Sequence, residues 1–417
     1  MRNASCRIVA VVTFALVSLW PGSASGYAVV SHEAMVDAVW DDVIVPLLRR
    51  RYPASTDRLA KARAFAYGGA VIQDLGYFPF GSRLFSNVVH YVRSGDFIEA
   101  LLREARGPEE HAFALGALAH YACDTTGHQL AVNRAVPLVY PKLRARFGDV
   151  VIYAEAPAQH VMVEFAFDVL QIARGGYVAS GYKDRIGFEV AKPLLARAFR
   201  ATYGMELNDL FLDEELAIGT YRRAISTTIP DMTRLAWEDK QDEIQQRTPG
   251  IQRNTFVLSL TRAEYERQFG TKYRRPGWLA RCLYFFLKII PKIGPLRPLS
   301  FEPLTPAAAQ LMFESFVKAR DAYRAVLLRL GNGRLDLPNL DLDTGNTPLG
   351  GRNPLIDETY LKLLEKLADK RFAGVSSALR QDINRHFAST TRTHPSRKER
   401  KREAKARRLL AALNASG

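Results

Sequence analysis

In the segment ALAHYACDTTGHQLAVN, His120, Asp124 and His128 recur at four-residue spacing, and His160 and Glu164 repeat that spacing in QHVMVEF. Four residues is close to one helical turn, so each set projects along one face of a helix. Imidazoles and carboxylates displayed this way are how helical proteins build metal sites in their interiors. At about 1.5 Å per residue, His120 and His128 lie about 12 Å apart along the axis. That is too far for one ion with bonds near 2 Å, so the pattern points to a cluster of metals with Asp124 placed to bridge.

A helical scaffold follows from the rest of the chain. Apolar positions recur at helical spacing in HEAMVDAVWDDVIVPLL, with Asp41 and Asp42 on the polar side. Ser55 or Thr56 is a candidate cap for a helix through Leu59 to Tyr67, and residues 107–110 (GPEE) read as a turn with an acidic first helical turn before His111 and His120. Strand-like alternation is scarce, and Val150 to Tyr153 is the best short candidate. Residues 301–335 and 354–387 read as further helical blocks joined by the loop-like NLDLDTGNTPLGGRNPL. Its Asp341 and Asp343 invite a calcium reading, but the spacing misses the EF-hand loop and no Glu closes it, so a plain turn is expected. The expected fold class is all-α: a multi-helix bundle with an additional helical C-terminal region.

The first 26 residues have the order of an export signal. Arg2 and Arg7 precede the apolar run from Ile8 to Trp20, and PGSASG supplies small residues at its exit. Cleavage after Gly26 leaves Tyr27 as the new N-terminus of a periplasmic or secreted protein. Cys6 precedes the apolar run and is therefore not a lipoprotein cysteine. Cys123 reads as a buried small side chain, and a disulfide between Cys123 and Cys282 stays open.

The net charge is +15, which favours anionic surfaces such as phospholipid, cell-wall polymer or nucleic acid. Between Arg392 and Arg408 stand nine Lys or Arg and two Glu, a basic tail expected to be a solvated helix or disordered. The expected domains are a signal at 1–26, a helical metal-binding domain at 27–235, a helical extension at 236–389 and the basic tail at 390–417. Within the extension, the segment 274–297 is apolar with a narrow basic stripe of Arg281, Lys288 and Lys292. It suits either an interfacial membrane helix or a core helix with bases reaching to water.

For any one histidine the ordinary expectation is a satisfied, partly buried imidazole. The case for metal rests on the set, which also includes His32, His90 and Asp74, a carboxylate amid small and apolar residues in AYGGAVIQDLGYFP. His111, nine residues before His120, and His386 and His394 in the basic part have no such company.

In order, Tyr27, His32, Asp74, His90, His120, Asp124, His128, His160 and Glu164 resemble the ligand series of the zinc-dependent phospholipase C family, whose fold is shared with single-strand-specific zinc nucleases. The resemblance covers roughly residues 27–235. It implies two to three zinc ions. Asp74, His90, His120 and Asp124 would hold the first, and His128, His160 and Glu164 the second. The amine and carbonyl of Tyr27, with His32 and the far oxygen of Asp124, would hold the third. Asp74 would also orient a water. The implied activity is hydrolysis of phospholipid to diacylglycerol and a phosphorylated head group by metal-activated water. The chain departs from the family in placing three residues, rather than five, between Asp124 and His128, and in having Tyr27 where Trp is usual. The alternatives are a nuclease of the same fold with nucleic acid as partner, or a non-catalytic metal-binding surface protein.

Overall fold

The stretch Gly107–Gly127 is apolar on nearly every side, and such a helix is stable only at the centre of a larger assembly. In the computed structural model it takes that place. The structure describes residues 29–78, 80–173, 188–225, 229–247, 249–253, 302–333, 335–390 and 396–416. Their helices are α1 (Val29–Asp37), α2 (Val45–Arg51), α3 (Leu59–Ile72), α4 (Arg83–Tyr91), α5 (Ser94–Glu104), α6 (Gly107–Gly127), α7 (Asn133–Val139), α8 (Pro141–Phe147), α9 (Pro157–Ala173), α10 (Lys192–Tyr203), α11 (Glu214–Arg223), α12 (Ile229–Arg247), α13 (Pro306–Gly331), α14 (Pro354–Asp369), α15 (Ser377–Ala388) and α16 (Arg397–Ala415). Among the described residues there is no strand, and the protein is all-α.

The start of α6 follows the expected chemistry. Gly107 takes a φ of +83°, Pro108 opens the helix, and Glu109 and Glu110 occupy its first turn. Pro has no N–H to leave unsatisfied there, and acidic groups favour the positive end of the helix. Two sequence expectations need correction. The helix from Leu59 is preceded by a 3-10 turn, Pro53–Arg58, and has no side-chain cap. Residues 150–152 form no strand, and 153–155 are a turn. The backbone of Val151 is engaged elsewhere: its N–H donates to Asn133 O and its carbonyl accepts from the His160 ring.

Among the described residues, α3 and α6 form the most extensive helix pair. A Cβ on Gly116 would overlap the carbonyl oxygen of Ala66, and one on Gly69 would overlap that of Phe113. Each helix therefore presents a glycine to the backbone of the other. Ala62, Ala66, Ala70, Ala112 and Ala117 fill the rest of this seam without separating the axes. Close packing of this kind brings the backbone of α3 within reach of side chains on α6.

Helix α13 also packs on α6, where the buried Tyr323 hydroxyl donates to Leu115 O at 2.8 Å. Helix α10 packs on α5 and α14 on α4. One apolar core runs continuously from Val29 to Leu413. The basic tail is a helix, α16, opened by a capping box of Ser396 and Glu399. It rests on α14 through Arg402–Glu358 at 3.0 Å and Lys405–Glu365 at 2.7 Å, with Leu413 buried. No helix among the described residues is long and apolar enough to cross a membrane. The segment 274–297, residues 1–26, Tyr27, Cys282 and His394 lie outside the described residues. Cys123 is buried with a free thiol, and burial pushes its pKa well up.

The α3–α6 seam gives a direct test. Gly116→Ala adds one methyl where the facing backbone cannot yield, and overpacking of this kind costs about 1–3 kcal/mol. Thermal denaturation should show a clear fall in melting temperature, whereas Gly333→Ala, where an added Cβ meets nothing within 4 Å but φ is +72°, should cost less.

Candidate metal centre

Asp124 stands at the middle of the site. It lies near the C-terminal end of α6, fully buried, and its two oxygens face different groups. Oδ2 is 3.1 Å from His120 Nε2 and 3.5 Å from His90 Nε2. Oδ1 is 3.5 Å from His32 Nε2 and 3.8 Å from His128 Nε2. A carboxylate so placed presents each oxygen to a different pair of imidazoles.

Around it, three elements converge on a first group. Asp74 sits in the 3-10 turn Gln73–Tyr77 that follows α3. His90 comes from α4 and His120 from α6. His90 Nε2 lies 3.5 Å from Asp74 Oδ1 and 3.2 Å from His120 Nε2. A second group adds His32 from α1, whose ring stacks on His120 with centroids 4.1 Å apart. His128 and His160 approach a third position, their rings nearly parallel with centroids 5.9 Å apart. His128 Nε2 is 3.9 Å and His160 Nδ1 is 3.7 Å from Glu164 Oε1. Three sets bring their ligand atoms within 4.8 Å of one another: His32, His120 and Asp124; Asp74, His90 and His120; and His128, His160 and Asp343.

The outer nitrogens explain the ring orientations. His90 Nδ1–H donates to Ser86 O at 2.7 Å, and His120 Nδ1–H donates across the seam to Ala70 O at 2.9 Å. His160 Nε2–H donates to Val151 O at 2.7 Å, and His128 Nδ1–H donates to Asp343 Oδ1 at 3.0 Å. A carbonyl or carboxylate oxygen only accepts, so the opposite nitrogen of each neutral ring carries a lone pair pointing inward. Metal-ligating histidines are held in this way.

The donor set fits a metal on an electrostatic argument. His90 Nε2 and His120 Nε2 stand 3.2 Å apart. With both rings neutral their lone pairs would face each other, so a proton or a metal ion must stand with them. Both oxygens of Asp124 and of Glu164, together with His128 Nε2 and His160 Nδ1, are buried without a hydrogen-bond partner. Leaving such atoms dry and unpaired is costly. Imidazole and carboxylate are the ligands zinc prefers.

The protonation states record the same tension. Burial opposes a charge on His90, but Asp124 and Asp74 outweigh it and push its pKa up to about 10. Burial, and then Asp124 and Asp74, drive Glu164 well above the usual carboxylate range. Asp124 goes the other way: burial works against its charge, but His120, His128 and His90 hold it well below. His160 falls to about 4 because burial disfavours its charged form.

Two residues of this site were not singled out as such in the sequence. Asp168, on α9, accepts from the N–H groups of Val30 and Ser31 at 2.8 and 3.0 Å and from Ser31 Oγ at 2.5 Å. It thereby satisfies the open amides at the start of α1, the helix that carries His32. Its signal was available, since His160, Glu164 and Asp168 share a four-residue spacing. Asp343 lies in the loop that reads as a plain turn. Turn it is, with Asp343 N–H on Asp341 Oδ1, yet the Asp343 carboxylate is buried against His128. Nothing in its local sequence marks that contact. His111 lies away from the cluster, edge-on to Tyr52.

Fold and site thus define a helical protein with a buried, multi-ligand centre of histidines and carboxylates. Residues 31–212 match the family model of zinc dependent phospholipase C. A search of curated proteins and one of solved structures found no match.

Metal analysis checks the centre. Asp124→Asn should remove more zinc than any other single substitution, because both its oxygens face ligand groups. A full zinc complement in Asp124→Asn would contradict its bridging place. His111 offers a pH test. Burial, helped by Arg51, lowers its pKa to about 4, against about 6.5 unfolded. The depressed value means that stability from this group is present above pH 6.5 and is lost as pH falls toward 4, by up to about 3 kcal/mol. In metal-free protein, His111→Phe should therefore lose less stability between pH 6.5 and 4 than the unsubstituted chain, and in loaded protein it should keep its zinc.

Proposed function

We propose that the protein is an exported zinc-dependent phosphodiesterase that hydrolyses phospholipid to diacylglycerol and a phosphorylated head group. The observation that carries this reading is the convergence of buried, inward-facing imidazole nitrogens on Asp124 within a stretch of zinc-dependent phospholipase C type. Asp74, His90, His120 and Asp124 would hold one zinc, His128, His160 and Glu164 a second, and His32, Asp124 and the mature N-terminus at Tyr27 a third. Bound there, zinc supplies hydroxide near neutral pH and neutralises charge that grows on the phosphate.

The chain's own residues prepare this chemistry. The carbonyls of Ala70, Ser86 and Val151 fix three ring orientations before any ion arrives, so little reorganisation is left for the reaction itself. Asp74, 3.5 Å from His90 Nε2, would orient a water toward phosphorus. The buried surroundings strengthen each of these interactions. The reading implies an anionic lipid surface as partner, to which the excess of Lys and Arg over Asp and Glu is suited, an excess that persists when Arg2 and Arg7 leave with the signal. Export depends on the signal at 1–26, and its removal supplies the free amine of Tyr27.

Three substrates assayed side by side test the proposal: phosphatidylcholine vesicles, single-stranded DNA and a soluble phosphodiester. Vesicle hydrolysis with release of diacylglycerol is expected. Preference for DNA would transfer the site to a nuclease, and inactivity on all three would leave a metal-binding protein. His120→Ala and Glu164→Ala should each lower the vesicle rate at least a hundredfold, since losing a metal ligand removes about 3 kcal/mol or more of transition-state stabilisation. Protein with extra residues before Tyr27 should carry one zinc fewer than protein beginning at Tyr27. Equal zinc in both would exclude the N-terminal ligand.

A further inference from the structure

Asp343 belongs to the loop between α13 and α14, beyond the stretch that matches the family. It is nevertheless buried in the metal centre, and it is held on four sides. Its Oδ1 accepts from His128 Nδ1–H at 3.0 Å and its Oδ2 from Tyr153 N–H at 2.9 Å. Its own N–H donates to Asp341 Oδ1 at 2.9 Å, and its carbonyl accepts from Asn133 Nδ2 at 2.8 Å. The loop itself is stitched to α4 and α6, which carry other ligands, and to α5 between them. Leu342 N–H donates to His90 O at 3.2 Å, Ser94 Oγ–H to Leu340 O at 2.6 Å, and the Tyr121 hydroxyl to Pro338 O at 2.6 Å.

We infer that Asp343 is a positioning residue through which the C-terminal half of the chain sets the second zinc position. The inference rests on the metal reading above. Two geometries decide that it positions rather than binds. His128 turns Nδ1 to Asp343 and the opposite nitrogen, Nε2, to Asp124 and Glu164. Both Asp343 oxygens already accept hydrogen bonds, whereas both Glu164 oxygens have none. Glu164 is thus the carboxylate left for the ion.

Asp343 reaches both histidines of that position. It holds the His128 ring directly. Through Tyr153 N–H it also anchors residues 151–153, and Val151 O in turn orients His160. Orienting partners of this kind are worth about 10–100-fold in metal affinity.

The chemistry of Asn makes a sharp probe. His128 Nδ1–H and Tyr153 N–H are both donors, and Asp343 meets them with two acceptors. Asn offers one acceptor and one donor, so its NH2 must confront a donor. Facing His128, it favours the tautomer with the proton on Nε2, which removes the inward lone pair. Asp341→Asn is the matched control. Asp341 accepts from the N–H groups of Asp343 and Thr344 and from the Thr344 hydroxyl; an Asn oxygen can keep the amide bonds, and the hydroxyl can rotate to accept instead. It loses a carboxylate from the same loop without touching His128.

The experiment uses the full mature chain loaded with zinc, titrated with a chromophoric chelator, and the melting temperature of the metal-free forms. Asp343→Asn should weaken one zinc by about 10–100-fold and leave the rest as in the unsubstituted protein. Asp341→Asn should keep every zinc, and metal-free melting should be similar in both variants. A second measurement does not depend on the variant folding. In the unsubstituted zinc-loaded protein, imidazole proton–nitrogen spectra, assigned through His128→Ala, should place the His128 proton on Nδ1. The inference is overturned by zinc affinity in Asp343→Asn equal to that of the unsubstituted protein, by equal weakening in Asp341→Asn, or by a His128 proton on Nε2. Less than one equivalent of zinc in the unsubstituted protein would overturn the metal reading itself, and this inference with it.

Discussion

The candidate metal centre depends on how closely α3 and α6 approach. Gly69 and Gly116 let each helix touch the backbone of the other, and from that contact the His120 ring reaches Ala70 O on the facing helix. The same closeness delivers Asp74, two residues past the end of α3, to the neighbourhood of His90 and His120. Wider spacing would cost both the orienting bond and the convergence. Packing and chemistry therefore meet in two residues that have no side chain.

Around this seam the structure sorts polar groups by direction. Each of His90, His120, His128 and His160 spends one nitrogen on a supporting acceptor and turns the other inward. Backbone carbonyls serve three of them, and those carbonyls are fixed by helices or by the tight segment near Val151. The fourth acceptor is a carboxylate from a distant part of the chain. At the other end of the site, Asp168 pins the first turn of α1 and so fixes the helix on which His32 stands. The ligands are thus rigid because their supports are.

The all-helical class was legible in the sequence because helical periodicity and ligand spacing agree over long segments. His120, Asp124 and His128 on one helix, and His160 and Glu164 on another, follow from four-residue steps alone. Which helices face one another was not legible. The pairing of Gly69 with Phe113 O is a contact between backbones, and small residues in an apolar run give little sign of it. Asp343 was hidden for a related reason. A loop aspartate two residues after another aspartate looks like ordinary turn chemistry, and its burial is decided by Tyr121, Ser94 and His90, which lie more than 200 residues earlier. Val150 to Tyr153 misled in the opposite sense: its alternation resembles a strand, while its backbone bonds go to Asn133 and a histidine ring.

The tail from Arg397 onward is a helix docked on α14 rather than a loose string of charges. Arg402 and Lys405 meet Glu358 and Glu365, and Arg397, Lys401, Arg407 and Arg408 stand exposed. A disordered basic arm surrenders conformational entropy when it settles on a polyanion. Here the backbone has already given up that freedom during folding. An anionic surface that meets this face meets a fixed lattice of cations, whose spacing is set by the helix rather than chosen on contact.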